Sequence, residues 1–289
     1  MNPVGSRAVH VAAGGHGDVA GRLQYPRSVI DGTSQLELDS ATREALAELL
    51  LTLADDEFVI GFWDSEWTGI APMLEEDVAT SSIAQDEIGH AKALYELLAE
   101  LTDDDADRIA YGREPEAFRH APLLDHRRSD WAFTVARRYL YETADAIRLE
   151  ALAHSAYEPL AGLAAKMRRE ETYHLLHWEV WLRRLATGRG EGRVRLERSL
   201  ATLWPDAQAV LAPLAGEERL LTAGILPEPM AALRRRWLDH VTPKLRGLEL
   251  TVADAVEPQA SARTRHDADF TWLHGEFTTV ARSEEGATW

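Results

Sequence analysis

Two Glu-x-x-His pairs, Glu87/His90 and Glu171/His174, each follow a lone Glu at nearly the same distance. Glu57 lies 30 residues before Glu87, and Glu142 lies 29 before Glu171. Residues three apart share one face of an α-helix, so on helices each pair offers a carboxylate and an imidazole to the same neighbour. One such pair on each of two helices, with a single Glu on each of two more, describes a carboxylate site for two metal ions inside a helix bundle. The same residues mark a duplication: Glu57, Glu87 and His90 recur as Glu142, Glu171 and His174 at an offset of 84 to 85 residues. A two-fold arrangement of helix pairs would present both triads to one midline.

The pairs alone carry little information. Eleven histidines, each with roughly a one-in-ten chance of a Glu three residues earlier, produce about one pair by accident. Placement carries the rest, because each pair falls inside an apolar stripe and each has its lone Glu one helix earlier. The competing reading is a set of solvated Glu and His residues on amphipathic helices, the usual fate of charged side chains. Four carboxylates converging in a core without cations would be very costly to desolvate. Carboxylate oxygen with neutral imidazole suits iron(II) or manganese(II), and four negative charges balance two divalent ions.

The chain of 289 residues can bury a full core. Its net charge of −17 argues against nucleic acid or an anionic membrane surface as partner. With no cysteine, disulfides, thiolate zinc sites and cysteine-ligated iron–sulfur clusters are excluded. The first residues lack the apolar core of a signal peptide, and no apolar run approaches the ~18 residues of a membrane span. A cytoplasmic protein is expected.

Residues 1–36 are glycine-rich and aperiodic, which predicts a loose arm ahead of a helical domain over 37–289. Apolar periodicity predicts helices over 41–67, capped by Asp39 or Ser40, and over 74–101, with a stripe that includes Val78, Ile83, Ile88, Leu94 and Leu97. After the acidic turn 102–107 and an irregular stretch, Ser129 is expected to cap a helix over 130–157. Pro159 suits the start of a fourth helix ending near Gly188. Further helices are expected at 192–213, 217–223, 228–250 and 268–282. No sustained period-two alternation argues for a sheet. The predicted class is all-α: a ferritin-like four-helix bundle with additional C-terminal helices.

Other signals are weaker. Metal-bound imidazoles usually donate their second N–H to a carboxylate, so Asp86 could orient His174 and Glu170 could orient His90; the alternative is an exposed acid beside a buried one. Trp63, Trp67, Tyr139 and Tyr141 suit either a pocket wall or plain core. His177, one turn past His174, reads as a surface or supporting residue rather than a ligand. The basic residues Arg234–Arg236, Lys244 and Arg246 could hold phosphates, though a solvated helix face is the default. His154 beside Ser155 lacks an orienting acid and is discounted as a nucleophile pair.

The stretches DDEFVIGFWDSEWTGIAPMLEEDVATSSIAQDEIGHAKALY (55–95), RRYLYETADAIRLEAL (137–152), AAKMRREETYHLLHW (164–178) and WLDHVTPKLRGLELTVAD (237–254) resemble the large ferritin-like subunits of multicomponent phenylacetyl-CoA 1,2-epoxidases. The likeness spans about residues 40–255. That family has one subunit type that is catalytic and carries the metal ligands, and a structural type that has lost them. This chain is similar to the structural type in length and tail. Its Glu57, Glu87, His90, Glu142, Glu171 and His174 match the ligand positions of the catalytic type.

The resemblance implies a diiron monooxygenase component, with two iron ions or manganese at either position. It would activate dioxygen and insert one oxygen atom into an aromatic acyl-CoA as an epoxide. It further implies a separate NADPH-dependent reductase, and a homologous ferritin-like subunit or a homo-oligomer as partner. Two alternatives stay open: a non-catalytic subunit scaffolding a catalytic homologue, and ferritin-like iron storage, against which the helices after residue 191 speak.

Overall fold

The computed structural model describes residues 37–283, and among these every regular element is helical. The predicted arm at 1–36 and the end of the chain after 283 lie outside the described residues.

Helix α1 (Ser40–Ser65) starts where the Asp39 side chain accepts the Thr42 backbone N–H, so Asp39 rather than Ser40 is the cap. It is buried on every side from Thr52 to Gly61. Helix α2 (Leu74–Thr102) follows a connection so short, 66–73, that it must return antiparallel and packs along α1. Val78 departs from its expected place in the stripe and is 64% exposed, because the first turns of α2 project beyond the core.

Asp103, at φ 56°, turns the chain out of α2. Asp105 then caps α3 (Ala106–Tyr111), a helix the acidic composition had concealed. The irregular stretch after it carries two 3₁₀ turns, Pro115–Ala117 and Pro122–Leu124.

The second hairpin is α4 (Trp131–Leu152) and α5 (Glu158–Thr187). Asp130, not Ser129, caps α4 through the Phe133 N–H. The helix stops at Leu152, five residues short of expectation, where Ser155 Oγ turns away to donate to Ile225 O (2.6 Å). Pro159 sits in the first turn of α5, where no intrahelical N–H is needed. These two hairpins are the four-helix bundle.

Around it lie α6 (Glu191–Ala207), α7 (Glu217–Thr222), α8 (Met230–Gly247) and α9 (Ala268–Thr278). Pro205 ends the α-helical ladder of α6 early, and Gln208–Leu211 continues as 3₁₀. α6 and α8 pack on α4, joined by stacked Trp204 and Trp237 (5.4 Å between centroids), and Trp237 Nε1 donates to Thr143 Oγ1 (2.9 Å). No helix among the described residues is long and apolar enough to cross a membrane.

Candidate metal centre

In an antiparallel hairpin, residues equidistant from the turn lie level with each other. Glu57 and Glu87 are each 15 residues from Pro72 in the first turn. Glu142 lies 11 residues before the 153–157 turn and Glu171 lies 14 residues after it. The structure brings all six predicted residues together from α1, α2, α4 and α5, and all six are buried, at 0 to 4% exposure.

They form two groups that share two members. Glu57, Glu87, His90 and Glu171 make one; Glu87, Glu142, Glu171 and His174 make the other. Within each, one donor atom per residue lies within 4.8 Å of every other. Ligands facing each other across an octahedral ion sit about 4.2 Å apart at metal–ligand distances of about 2.1 Å, so a small contraction completes either group. Glu87 and Glu171 are common to both groups and would be shared between two ions.

The imidazoles are aimed by each other's hairpins. His90 Nε2–H donates to Glu170 Oε2 (2.7 Å) on α5, and His174 Nε2–H donates to Asp86 Oδ2 (3.2 Å) on α2. Glu170 and Asp86 thus lie within hydrogen-bond reach of the imidazoles. The Nδ1 atoms therefore face inward: His90 Nδ1 lies 3.3 Å from both Glu57 Oε2 and Glu171 Oε1, and His174 Nδ1 lies 3.4 Å from Glu87 Oε1 and Glu171 Oε2. Glu87 Oε2, Glu142 Oε2, both Glu171 oxygens and His174 Nδ1 are buried with no hydrogen-bond partner. Orphaned buried oxygens and an orphaned imidazole nitrogen on one centre are the donor set of a hard-to-borderline cation. Carboxylate oxygen and imidazole nitrogen are donor types that suit iron(II) or manganese(II).

Electrostatics among these groups are extreme. Burial, reinforced by Glu87, raises the Glu57 carboxyl well above its ordinary range. Burial does the same to Glu142, with Glu171 adding to it against the pull of Arg138. For Glu87, Arg138 and the hydrogen bonds it receives outweigh burial and hold it well below the usual carboxylate range. Both histidines overcome burial through the carboxylates around them: His174 is raised to about 10 and His90 further still.

Two residues the sequence did not single out for the site touch it. Tyr141, read only as wall or core, donates its hydroxyl to Glu57 Oε1 (2.6 Å). Arg138 reaches Glu87 and Glu142 with Nη2, and its Nε lies 3.3 Å from Asp64 Oδ2. The other aromatics are core: Trp63 Nε1 donates to Leu124 O, Trp67 Nε1 to Thr134 Oγ1, and Tyr139 is buried. His177 stays outside the ligand groups, with Nε2 3.2 Å from Glu76 Oε2. Three of the five basic residues that could hold phosphates pair with acids: Arg234 with Glu257, Arg236 with Glu150 and Glu228, and Lys244 with Glu179.

A third group, His120, Asp125 and His266, also brings ligand atoms within 4.8 Å. Both imidazoles there already bind Asp125 Oδ1 (2.7 and 3.1 Å), and His266 Nε2 donates to Phe118 O (3.0 Å), so the group ties two segments together.

The chain is similar to known proteins. One subunit of the 1,2-phenylacetyl-CoA epoxidase of Escherichia coli (strain K12) is 31% identical over 160 residues, covering 55% of this chain and 64% of the relative. Another subunit of the same enzyme is 25% identical over 224 residues, covering 75% of this chain and 71% of the relative. The chain thus spans somewhat less than two thirds of the length of the first of these relatives. A family model described as Phenylacetic acid catabolic protein matches residues 31–289. The chain belongs to that family.

Proposed function

We propose that this chain is the oxygen-activating component of a diiron monooxygenase that oxidises an aromatic acyl-CoA, with Glu57, Glu87, His90, Glu142, Glu171 and His174 as the ligands of two irons. The observation that carries this reading is the pair of four-residue groups sharing Glu87 and Glu171, with orphaned donor atoms on both. Similarity to two subunits of an epoxidase supports the reaction class and the acyl-CoA. It also supports a homologous protein as partner.

When bound, the iron pair would supply dioxygen activation, with one oxygen atom entering the substrate ring and the other leaving as water. An NADPH-dependent reductase would supply the electrons. The chain's own residues do the rest. Glu170 and Asp86 hold the Nε2 protons of His90 and His174, which leaves each Nδ1 lone pair for an ion. Tyr141 keeps one Glu57 oxygen in place. Trp178 and Tyr141 flank Arg138 and help keep water from the centre.

A cleft of about 420 Å³ between α4, α5 and α8 has Glu171 in its wall, with apolar Ala146, Ile147 and Leu175 beside it. It is the approach we assign to the aromatic group.

Anaerobic iron loading of the purified chain is expected to give about two irons per chain, and Glu87→Ala or His174→Ala should lose them. Stoichiometric absence of metal after loading removes the proposal. The second reading, a non-catalytic scaffold for a catalytic homologue, draws on the higher identity to the first of the two epoxidase relatives. It requires product yield in the reconstituted complex to survive the double variant Glu57→Ala, Glu171→Ala.

A further inference from the structure

Arg138 lies one turn before Glu142 on α4, and its side chain is fully buried. Its Nη2 binds Oε1 of Glu87 and Oε1 of Glu142. Glu142 belongs only to the group completed by His174, and Glu87 Oε1 is the oxygen that faces His174 Nδ1. The Glu87 oxygen on the His90 side is Oε2 (3.8 Å), which Arg138 does not bind. The two halves of the ligand set therefore differ. One presents oxygens and an imidazole; the other has a guanidinium on two of its oxygens.

A guanidinium and a metal ion compete for the same lone pairs and repel each other. Arg138 has somewhere to go. Its Nε is 3.3 Å from Asp64 Oδ2, and both Asp64 oxygens are buried without a hydrogen-bond partner. Arg137 Nη2 also stands 3.8 Å from Asp64 Oδ1, so Asp64 lies between two buried guanidiniums and already touches Arg138 through Nε.

We propose that Arg138 is a displaceable counter-ion that holds Glu87 and Glu142 against the second divalent cation and turns onto Asp64 when that ion binds, so the two metal positions fill unequally. The inference rests on the metal-centre reading above. It makes Arg138 a positioning residue, acting through the two carboxylates it releases.

The test is anaerobic titration of the metal-free full chain with manganese(II), followed by calorimetry and electron paramagnetic resonance. Two steps are expected, the second weaker by about tenfold or more. An isolated-ion signal should dominate at one equivalent, with the exchange-coupled signal growing only beyond it. Arg138→Gln should tighten the second step about tenfold and leave the first nearly unchanged, while Arg138→Lys keeps the gap. Asp64→Asn should weaken the second step, because Arg138 then has no seat to move to.

Equal steps in the wild type, or the same step ratio in Arg138→Gln as in the wild type, overturn the proposal while leaving the metal centre intact. Uptake of no ion by the wild type removes both. Circular dichroism checks folding. Should Arg138→Gln fail to fold, an Asp64→Asn second step equal to the wild type overturns the proposal in its place.

Discussion

At the residue scale, the protonation state of the six clustered residues would set how the proposed centre loads. His90 and His174 both sit above their ordinary pKa, because surrounding carboxylates outweigh burial. Glu57 and Glu142 are likewise raised, by burial first. At pH 7 the cluster thus holds protons that a metal, on the reading proposed above, would have to displace. Loading at pH 7 is expected to release at least two protons per chain, one from each histidine, and affinity should rise with pH. Calorimetry in buffers of different ionisation enthalpy measures this directly, and no proton release at pH 7 contradicts it. The clustering of the six residues was legible in the sequence, because the spacing that would suit a metal puts them on one level of four helices. Arg138 was not. Arg138 and Glu142, like Asp145 and Arg148, have the spacing of ordinary solvent-exposed helix pairs, and only the fold reveals that both pairs are buried.

At the scale of elements, α1 combines two properties that normally exclude each other. It is buried all round, yet carries Asp55, Asp56 and Glu57 in succession. Each acid leaves the helix in a different direction and finds its own partners. Asp55 accepts from Tyr95 Oη (2.6 Å), Arg113 and the Arg119 N–H. Asp56 accepts from Arg148, Arg263 and the Ala121 N–H. Glu57 turns to the site. Periodicity could find this helix but not these partners, which come from distant segments.

One turn past Glu57, Gly61 permits the close approach of α2. A Cβ there would lie 3.0 Å from Ile88 Cδ1 and 3.1 Å from Glu87 Cβ. Alanine would gain about 1 kcal/mol of helix propensity against an overpacking cost of about 1–3 kcal/mol. The Ile88 tip can rotate away, but Glu87 Cβ moves only with the α2 backbone, so the cost should win. Gly61→Ala is expected to lower stability by about 1 kcal/mol and to weaken metal binding by separating Glu57 from Glu87. Chemical denaturation with metal analysis checks both; an unchanged midpoint and metal content count against it.

At the scale of the whole molecule, the C-terminal helices foreseen as additions to a bundle are built into its core. Phe277 packs against Phe58 (5.0 Å) and Phe270 against Phe118 (5.2 Å). The His120–Asp125–His266 group joins the segment before α4 to the segment before α9. The strongest tie is Arg263, which reaches Asp56 with both terminal nitrogens (2.9 and 3.1 Å) and also binds Ala209, Arg119 and Val210 carbonyls. Burial pushes the Asp56 pKa up, but Arg263 and Arg148 together bring it below its ordinary value of 3.8. A depressed carboxylate pKa contributes stability above the unfolded value and loses it as pH falls through the folded one. Arg263→Ala raises that folded pKa and leaves Asp56 only partly paired beside Glu57. The variant should therefore lose about 3 kcal/mol at neutral pH, the low end for a broken buried pair because Arg148 remains. Acid unfolding should begin at higher pH than in the wild type. Urea unfolding at pH 7 and a pH titration of helicity measure the two effects. Equal midpoints in both would mean that Asp56 is held by Arg148 and the Ala121 N–H alone, and that the C-terminal segment is not needed to keep α1 in place.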